Sequence, residues 1–397
     1  MNALEKYTKR IAHNTVHVIR TQTLCATCKR HIAIVIPVLD EYPAFCDTVK
    51  SLEESIAHNG VCGSDLEFIV YCVVNNRKNA DSAEKENNQQ MLAWLNAYTG
   101  RAPLCVIDAA SSGREIPEKQ GVGYARKIGM DYALLSGAAV LACMDADTLV
   151  AKEYAAVLHG FAKSGESAAV LQFSHQKTEN AAAIFAYERY LREHSARLKA
   201  AGTPYFHIAM GPCIVCTAKT YASAGGMNKR LAGEDFYFLQ ALTKVALTNA
   251  SALPLLSAAE GGALVFPSAR FSRRVPFGTG TALAAMDFSL APRSAFDALA
   301  FFIDTIHSTI ASIEVFERDT TDTAENKKLE NPQAAIRCKN PRLYRFLEQE
   351  NFGAVWEKLR QNSPDRAHLL TAFHCWFDGL KIIRLLHYLE KPPAVSG

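Results

Sequence analysis

No apolar run in the 397 residues approaches the roughly 20 that a membrane-spanning helix needs. Met1 to Arg30 also lacks the apolar centre of a secretory signal, so neither a leader nor an N-terminal anchor is expected and the chain reads as cytoplasmic. Charge of one sign is missing too: 43 Lys and Arg against 40 Asp and Glu leave a net +3, and no basic stripe marks the first half. That excludes the electrostatic footprint of a nucleic-acid partner. The eleven cysteines are odd in number and scattered. Some lie inside apolar runs such as Phe68-Ile69-Val70-Tyr71-Cys72-Val73-Val74, where a thiol is a small hydrophobe, so a reducing compartment is expected. No internal repeat is present, which excludes a solenoid.

What remains is an ordinary globular composition, 49% hydrophobic and 21% charged, able to bury a large core in more than one lobe. His31 to Leu39 reads HIAIVIPVL, a buried parallel strand ending at Asp40-Glu41. Asp47 to Ala57 reads as a helix. Leu66 to Val74 is a second strand, running into Asn75-Asn76, and a short helix follows at Met91 to Tyr98. Pro103 to Ile107 is a third strand. Gly121-Val122-Gly123-Tyr124-Ala125-Arg126-Lys127 opens a helix, and Ala138 to Met144 is a strand that ends directly in Asp145-Ala146-Asp147. Alternating strands and helices predict an α/β fold, an open and mostly parallel Rossmann-like sheet with its ligand outside the carboxyl ends of the strands.

Further on, Asn180 to Ala200 reads as helix and Ala209 to Thr217 as strand; Gly233-Glu234-Asp235 precedes a helix from Phe236 to Val245. Phe296, Leu299, Ile303, Ile306, Ile310 and Ile313 then repeat at helical steps, followed by a charged connector from Glu317 to Pro332 and more helix. The expected organisation is an N-terminal extension over 1–30, a catalytic domain over 31–290 and a C-terminal helical appendage over 291–397.

Residues i and i+2 of an extended strand end point the same way, so Asp145 and Asp147 are expected to present two carboxylates to one spot. Mg²⁺ and Mn²⁺ favour one or two carboxylates plus phosphate oxygens, which suits a divalent cation carrying a diphosphate. Glu234-Asp235, at a helix start where a carboxylate is stabilised, could supply a base that takes a hydroxyl proton; an acidic helix cap is the plainer alternative. Arg270, Arg273 and Arg274, beside Gly278-Thr279-Gly280, form a basic loop suited to a leaving diphosphate. Gly121 to Arg126 offers amides and one cation at a helix start, but Arg126 stands where a dinucleotide fingerprint needs its last glycine, so a nicotinamide enzyme is not expected.

Taken together, Pro37-Val38-Leu39-Asp40-Glu41, Gly121 to Lys127, Asp145-Ala146-Asp147, Gly225-Gly226-Met227 and Gly233-Glu234-Asp235 resemble, in order and spacing, the family 2 glycosyltransferases of the type A nucleotide-sugar fold. The resemblance covers roughly residues 31 to 245. It implies a nucleotide-diphosphate sugar donor, a pocket near Pro37 and Glu41, a Mn²⁺ or Mg²⁺ bridged by Asp147 with Asp145 near the ribose, and Asp235 as base in an inverting transfer to an acceptor hydroxyl. A retaining course would instead make Glu234-Asp235 a substrate-binding pair. In such enzymes the second strand commonly ends in an aspartate that recognises the base, where this chain has Asn75-Asn76. The Q-x-x-R-W motif of processive synthases is absent. A nucleotidyltransferase would need a Gly-rich basic loop in place of Asp40-Glu41-Tyr42-Pro43, and a catalytically silent sugar-nucleotide binder would not need both acidic motifs.

Other features stay open at this level. Cys25-Ala26-Thr27-Cys28 and Cys213-Ile214-Val215-Cys216 could share a structural zinc, or the second pair could be core. His175 and His207 flank the Asn180 to Ala200 helix and could face the site or be structural. Ile382, Leu385, Leu386 and Leu389 share a helical face opposite Lys381, Arg384 and His387; that face could pack inward or lie on an anionic membrane, bringing a lipid acceptor within reach beside small-molecule and glycan acceptors.

Overall fold

The structure, a computed structural model, describes the chain except residues 22–29, 59–65, 178–180, 271–287, 314–331 and 392–397. Cys25, Cys28, Arg273, Arg274 and most of the charged connector therefore lie outside the described residues. The chain divides into two compact units, one of Met1–Glu188, Ala209–Ala246 and Leu253–Asp287, the other of Arg189–Ile208, Leu247–Ala252 and Phe288–Gly397.

The first unit contains strands β1 (Val18–Arg20), β2 (His31–Val38), β3 (Glu67–Asn75), β4 (Leu104–Ala109), β5 (Ala138–Cys143), β6 (Leu149–Val150), β7 (Ala168–Leu171), β8 (Ile214–Thr217), β9 (Leu255–Leu256) and β10 (Val265–Phe266). Eight of them form one sheet in the order β1-β4-β3-β2-β5-β8-β7-β9, and β6 pairs with β10. The centre, β4-β3-β2-β5, is parallel, with Ile34 set between Val70 and Ala142. Every residue of β2, β4 and β5 is buried, and in β3 only Glu67 is not. Both faces of these strands are covered, which is why their sequences run apolar without alternation.

At the flanks the sheet turns mixed. β1 joins β4, and β8 joins both β5 and β7, in antiparallel pairing. The strand expected from Ala209 is shorter than its apolar sequence suggests, because Gly211–Cys213 forms a tight 3-10 turn before β8. Pro212 has no N–H to donate to a neighbouring strand.

Helices α1 (Ala3–Ile11), α2 (Phe45–His58), α3 (Ser82–Ala97), α4 (Val122–Leu135), α5 (Tyr154–Ser164) and α7 (Ala218–Ser223) belong to this unit. In α1, Tyr7 donates its hydroxyl to the buried Asp131 at 2.7 Å, so part of the segment read as an extension is anchored to α4. Helix α3 starts well before the apolar residues that announce it: Asp81 caps it by accepting the Glu84 N–H at 2.8 Å. The polar stretch Ser82 to Gln90 is thus helix, with Met91, Leu92 and Leu95 buried behind it.

Helices α6 (Ala181–Ala200) and α8 (Glu234–Thr248) each divide between the two units. The second unit is helical, with α9 (Arg293–Ser312), α10 (Gln333–Lys339), α11 (Pro341–Gln349), α12 (Phe352–Asn362), α13 (Arg366–Trp376) and α14 (Gly379–Glu390). Phe302 sits at its centre, edge-on to Phe352, Phe373 and Phe377 at 5.4, 5.6 and 4.9 Å between ring centroids. The expected stripe from Phe296 to Ile313 is buried here. So are Ile382, Leu385, Leu386 and Leu389, so the apolar face of α14 packs inward and is not available to a membrane. No helix among the described residues is long and apolar enough to cross a membrane.

Candidate active site

The carboxyl ends of β2, β3 and β5 share one edge of the sheet, and each leads into a polar loop fixed by neighbouring side chains. Pro37 is buried in β2, in register with Val73. Beyond it Asp40 adopts a left-handed backbone (φ 53°), a region that short polar residues tolerate better than most. Two asparagines of α3 hold this loop. Asn88 accepts the Asp40 N–H at 2.9 Å, while Asn87 accepts the Tyr42 N–H and donates to the Tyr42 carbonyl at 3.0 and 2.8 Å. The same Asn88 donates to the Asn75 carbonyl and to Asn76 Oδ1 at 3.1 and 3.0 Å, tying the ends of β2 and β3 together. Asn75 is 2% exposed, and its side-chain oxygen has no hydrogen-bond partner.

After β5, Met144 still pairs with Val35, but the backbone turns at Ala146 and Asp147. Thr48 of α2 fastens that turn, donating to the Ala146 carbonyl at 2.7 Å. The strand therefore stops being extended between the two aspartates, and each carboxylate meets its own arginine.

Asp145 meets Arg126. This arginine of α4 is fully buried, with Nη2 on Asp145 Oδ1 and Nη1 on Glu234 Oε1. Burial acts against its charge, but the two carboxylates outweigh it and raise its pKa. Asp145 is pushed upward, chiefly by burial and against the pull of Arg126, although 36% of its side chain is open. Gly211 closes this group: a Cβ there would lie 2.9 Å from Arg126 Nη2 and 3.0 Å from both Asp145 oxygens. Gly123 serves the other side. A Cβ on it would come within 2.8 Å of the Asn228 and Arg230 carbonyls, so its absence lets the segment carrying Glu234 lie against the first turn of α4. The glycine motif thus brings Glu234 to Arg126, and both terminal nitrogens of that arginine are engaged with carboxylates.

Glu234 and Asp235 open α8. Asp235 Oδ1 accepts the Phe236 N–H at 2.8 Å. Burial first, and the charge of Glu234 second, push the Asp235 carboxyl up to about 7, against the Phe236 N–H and Arg126. A carboxyl poised near neutrality is what proton abstraction requires.

Asp147 meets Arg270. Nη2 of Arg270 touches Glu41 Oε1 and stands 3.0 Å from Asp147 Oδ2. Gln176 sets the backbone here, donating to the Asp147 and Phe266 carbonyls at 2.8 Å each. The fields of Asp40, Glu41, Asp145, Asp147, Glu234 and Asp235 overlap at this edge, shared between Arg126 and Arg270.

His175 is buried with Nδ1 2.9 Å from Glu188 Oε1, and the His207 ring lies tilted against that of Phe206 with centroids 4.3 Å apart. Cys213 and Cys216 are buried free thiols, raised by burial. Among the described residues no group of three or more His, Cys, Asp or Glu side chains is arranged to hold a metal. Sequence reasoning passed over Asn87, Asn88, Thr48, Gln176 and Gly211. The one local signal was Asp81, a cap that extends α3 back over its asparagines.

No family model matches the chain, and no curated protein does. Among solved structures the chain is similar to S. aureus TarS 1–349, with 11% identity, 90% of this chain and 86% of that one covered, and a TM-score of 0.38. A further S. aureus TarS structure matches at 12% identity over 80% of this chain and 55% of that one, again with a TM-score of 0.38. Likeness at this level carries no argument, so the functional reading stands on the site itself.

Proposed function

We propose that the chain is a glycosyltransferase that moves a sugar from a nucleotide-diphosphate donor to an acceptor hydroxyl with inversion, assisted by Mg²⁺ or Mn²⁺. One observation carries this reading: carboxylates from three separate loops converge at the carboxyl edge of a parallel sheet, with one of them, Asp235, held near neutrality. Ligands of open α/β sheets bind at that edge.

Asp147 and Asp145 are the residues proposed to hold the cation. Their hard oxygens suit Mg²⁺ or Mn²⁺, and because the described residues gather no group of three or more such ligands, the ion would need phosphate oxygens and water as further ligands, as is usual for Mg²⁺. Once bound, the ion would neutralise charge on the departing diphosphate. Pro37, Glu41 and Asn75 are proposed to contribute to the nucleotide pocket, and the buried amide oxygen of Asn75 has no hydrogen-bond partner within the protein. Arg270, with Arg273 and Arg274, is proposed to meet the diphosphate.

In the transfer, the acceptor oxygen forms its bond to the anomeric carbon while the bond from that carbon to the diphosphate oxygen breaks. Asp235 takes the hydroxyl proton, and the electron pair leaves with the diphosphate. Arg126 keeps the carboxylates of Asp145 and Glu234 fixed. The test is a thermal-shift screen of the purified protein against nucleoside diphosphates and their sugars, with and without Mn²⁺. The expected result is metal-dependent stabilisation by one nucleotide class; a flat response to all of them defeats the reading.

A further inference from the structure

The two arginines of the site are not equivalent. Arg126 is 1% exposed and grips its two carboxylates from inside α4, whereas 38% of the Arg270 side chain is open. A single nitrogen of Arg270, Nη2, touches both Glu41 Oε1 and Asp147 Oδ2. The two carboxylates come from loops after different strands, and their side chains are 8% and 25% exposed. That nitrogen occupies the space beside Asp147 Oδ2, the oxygen proposed to hold the cation. Two positive charges on Asp147 Oδ2 repel each other at close range, so an ion binding at that oxygen favours movement of the guanidinium.

We propose that Arg270 is a displaceable counter-ion, holding the cation position beside Asp147 until a divalent ion carried by a phosphorylated ligand takes it. This rests on the reading of the site as one for a cation and a diphosphate. The exchange has a physical asymmetry. An ion arriving alone expels Arg270 from Asp147 and leaves it with Glu41 and the field of Asp40. An ion arriving on a diphosphate brings oxygens that match the guanidinium fork, so the displaced arginine gains a new partner. The ion and the phosphate ligand therefore bind together better than either binds alone, and Arg270 is the residue that couples them.

Direct titration with Mn²⁺ alone, by electron paramagnetic resonance of the free ion, compares the full-length protein with Arg270→Met. The variant removes the competing charge while keeping a side chain of similar reach, and it is expected to bind Mn²⁺ at least tenfold more tightly than the parent. Adding Asp147→Asn to it should abolish that gain, placing the ion. Equal or weaker binding by an Arg270→Met protein with an unchanged melting transition overturns the proposal; Arg270→Gln replaces it should the methionine variant fail to fold. Nucleotide binding is scored separately. A parent protein that binds no nucleoside diphosphate defeats the transferase reading, while the Mn²⁺ comparison, made without nucleotide, still decides the role of Arg270.

Discussion

Asp235 and Asp147 are both acidic, yet their surroundings assign them different work. Asp235 lies beside Glu234 in a buried setting that lifts its pKa to about 7, while Asp147 lies against Arg270. A base must be ionised to act, and a carboxyl raised to that value is protonated below it. Transfer is therefore expected to rise with pH through about 7 and level off above it, as read from kcat/KM over pH 5.5 to 8.5. Asp235→Asn should lower kcat by about 10²–10⁴-fold while nucleotide-induced thermal stabilisation persists. Asp147→Asn should show the reverse order of loss, with Mn²⁺-dependent stabilisation disappearing first. Exchanged outcomes would exchange the two roles. The motifs at these positions were visible as letters, but their partners were not: Arg126 and Glu234 are 108 positions apart, and Arg270 and Glu41 are 229 apart.

At the scale of elements, α3 shows how a helix can serve a loop it does not contain. Its apolar residues alone suggest a helix beginning at Met91, whereas the Asp81 cap starts it at Ser82 and so carries Asn87 and Asn88 to the loop after β2. Asn88 is fully buried and bonded to Asp40, Asn75 and Asn76, so its truncation strands several polar groups at once. Asn88→Ala should cost about 1–3 kcal/mol in urea unfolding and weaken nucleotide binding as well, because the β2 and β3 loops lose their common tie. A stability change below about 0.5 kcal/mol, the range of ordinary surface substitutions, would show that the loops hold themselves. The central strands, by contrast, were legible from their apolar runs, since burial on both faces leaves an unmistakable mark. The shortened β8 was not, because a proline in an apolar run looks the same whether it ends a pairing or continues along an edge.

Over the whole molecule, two buried histidines make stability depend on pH. His31, stacked on Tyr71 and sharing a hydrogen bond with its hydroxyl, and His374, bonded to His307, are both lowered by burial to about 4. The unfolded chain takes up these protons first, near the ordinary value of about 6.5, so the stabilisation is complete above that value and is lost as pH falls toward 4. Each group contributes up to about 3 kcal/mol over that window. Asp235, raised in the folded state, acts in the opposite direction, so the clean measurement is a comparison. The difference in urea midpoint between pH 7.5 and pH 5 should shrink in His31→Gln and in His374→Gln; an unchanged difference rules out burial of the neutral ring as the cause.

What the sequence by itself determined is what repeats locally: buried parallel strands, amphipathic helices such as α9, and acidic pairs placed at element ends, because periodicity and capping act over a few neighbouring residues. Only the tertiary structure decided the rest. It separated Asp145 from Asp147 by a turn, gave each its own arginine, used Gly123 and Gly211 to bring backbone and charge close, and turned the apolar face of α14 inward. Those outcomes depend on which loops meet at one sheet edge, and charge pairing and close packing there join residues that no local pattern connects.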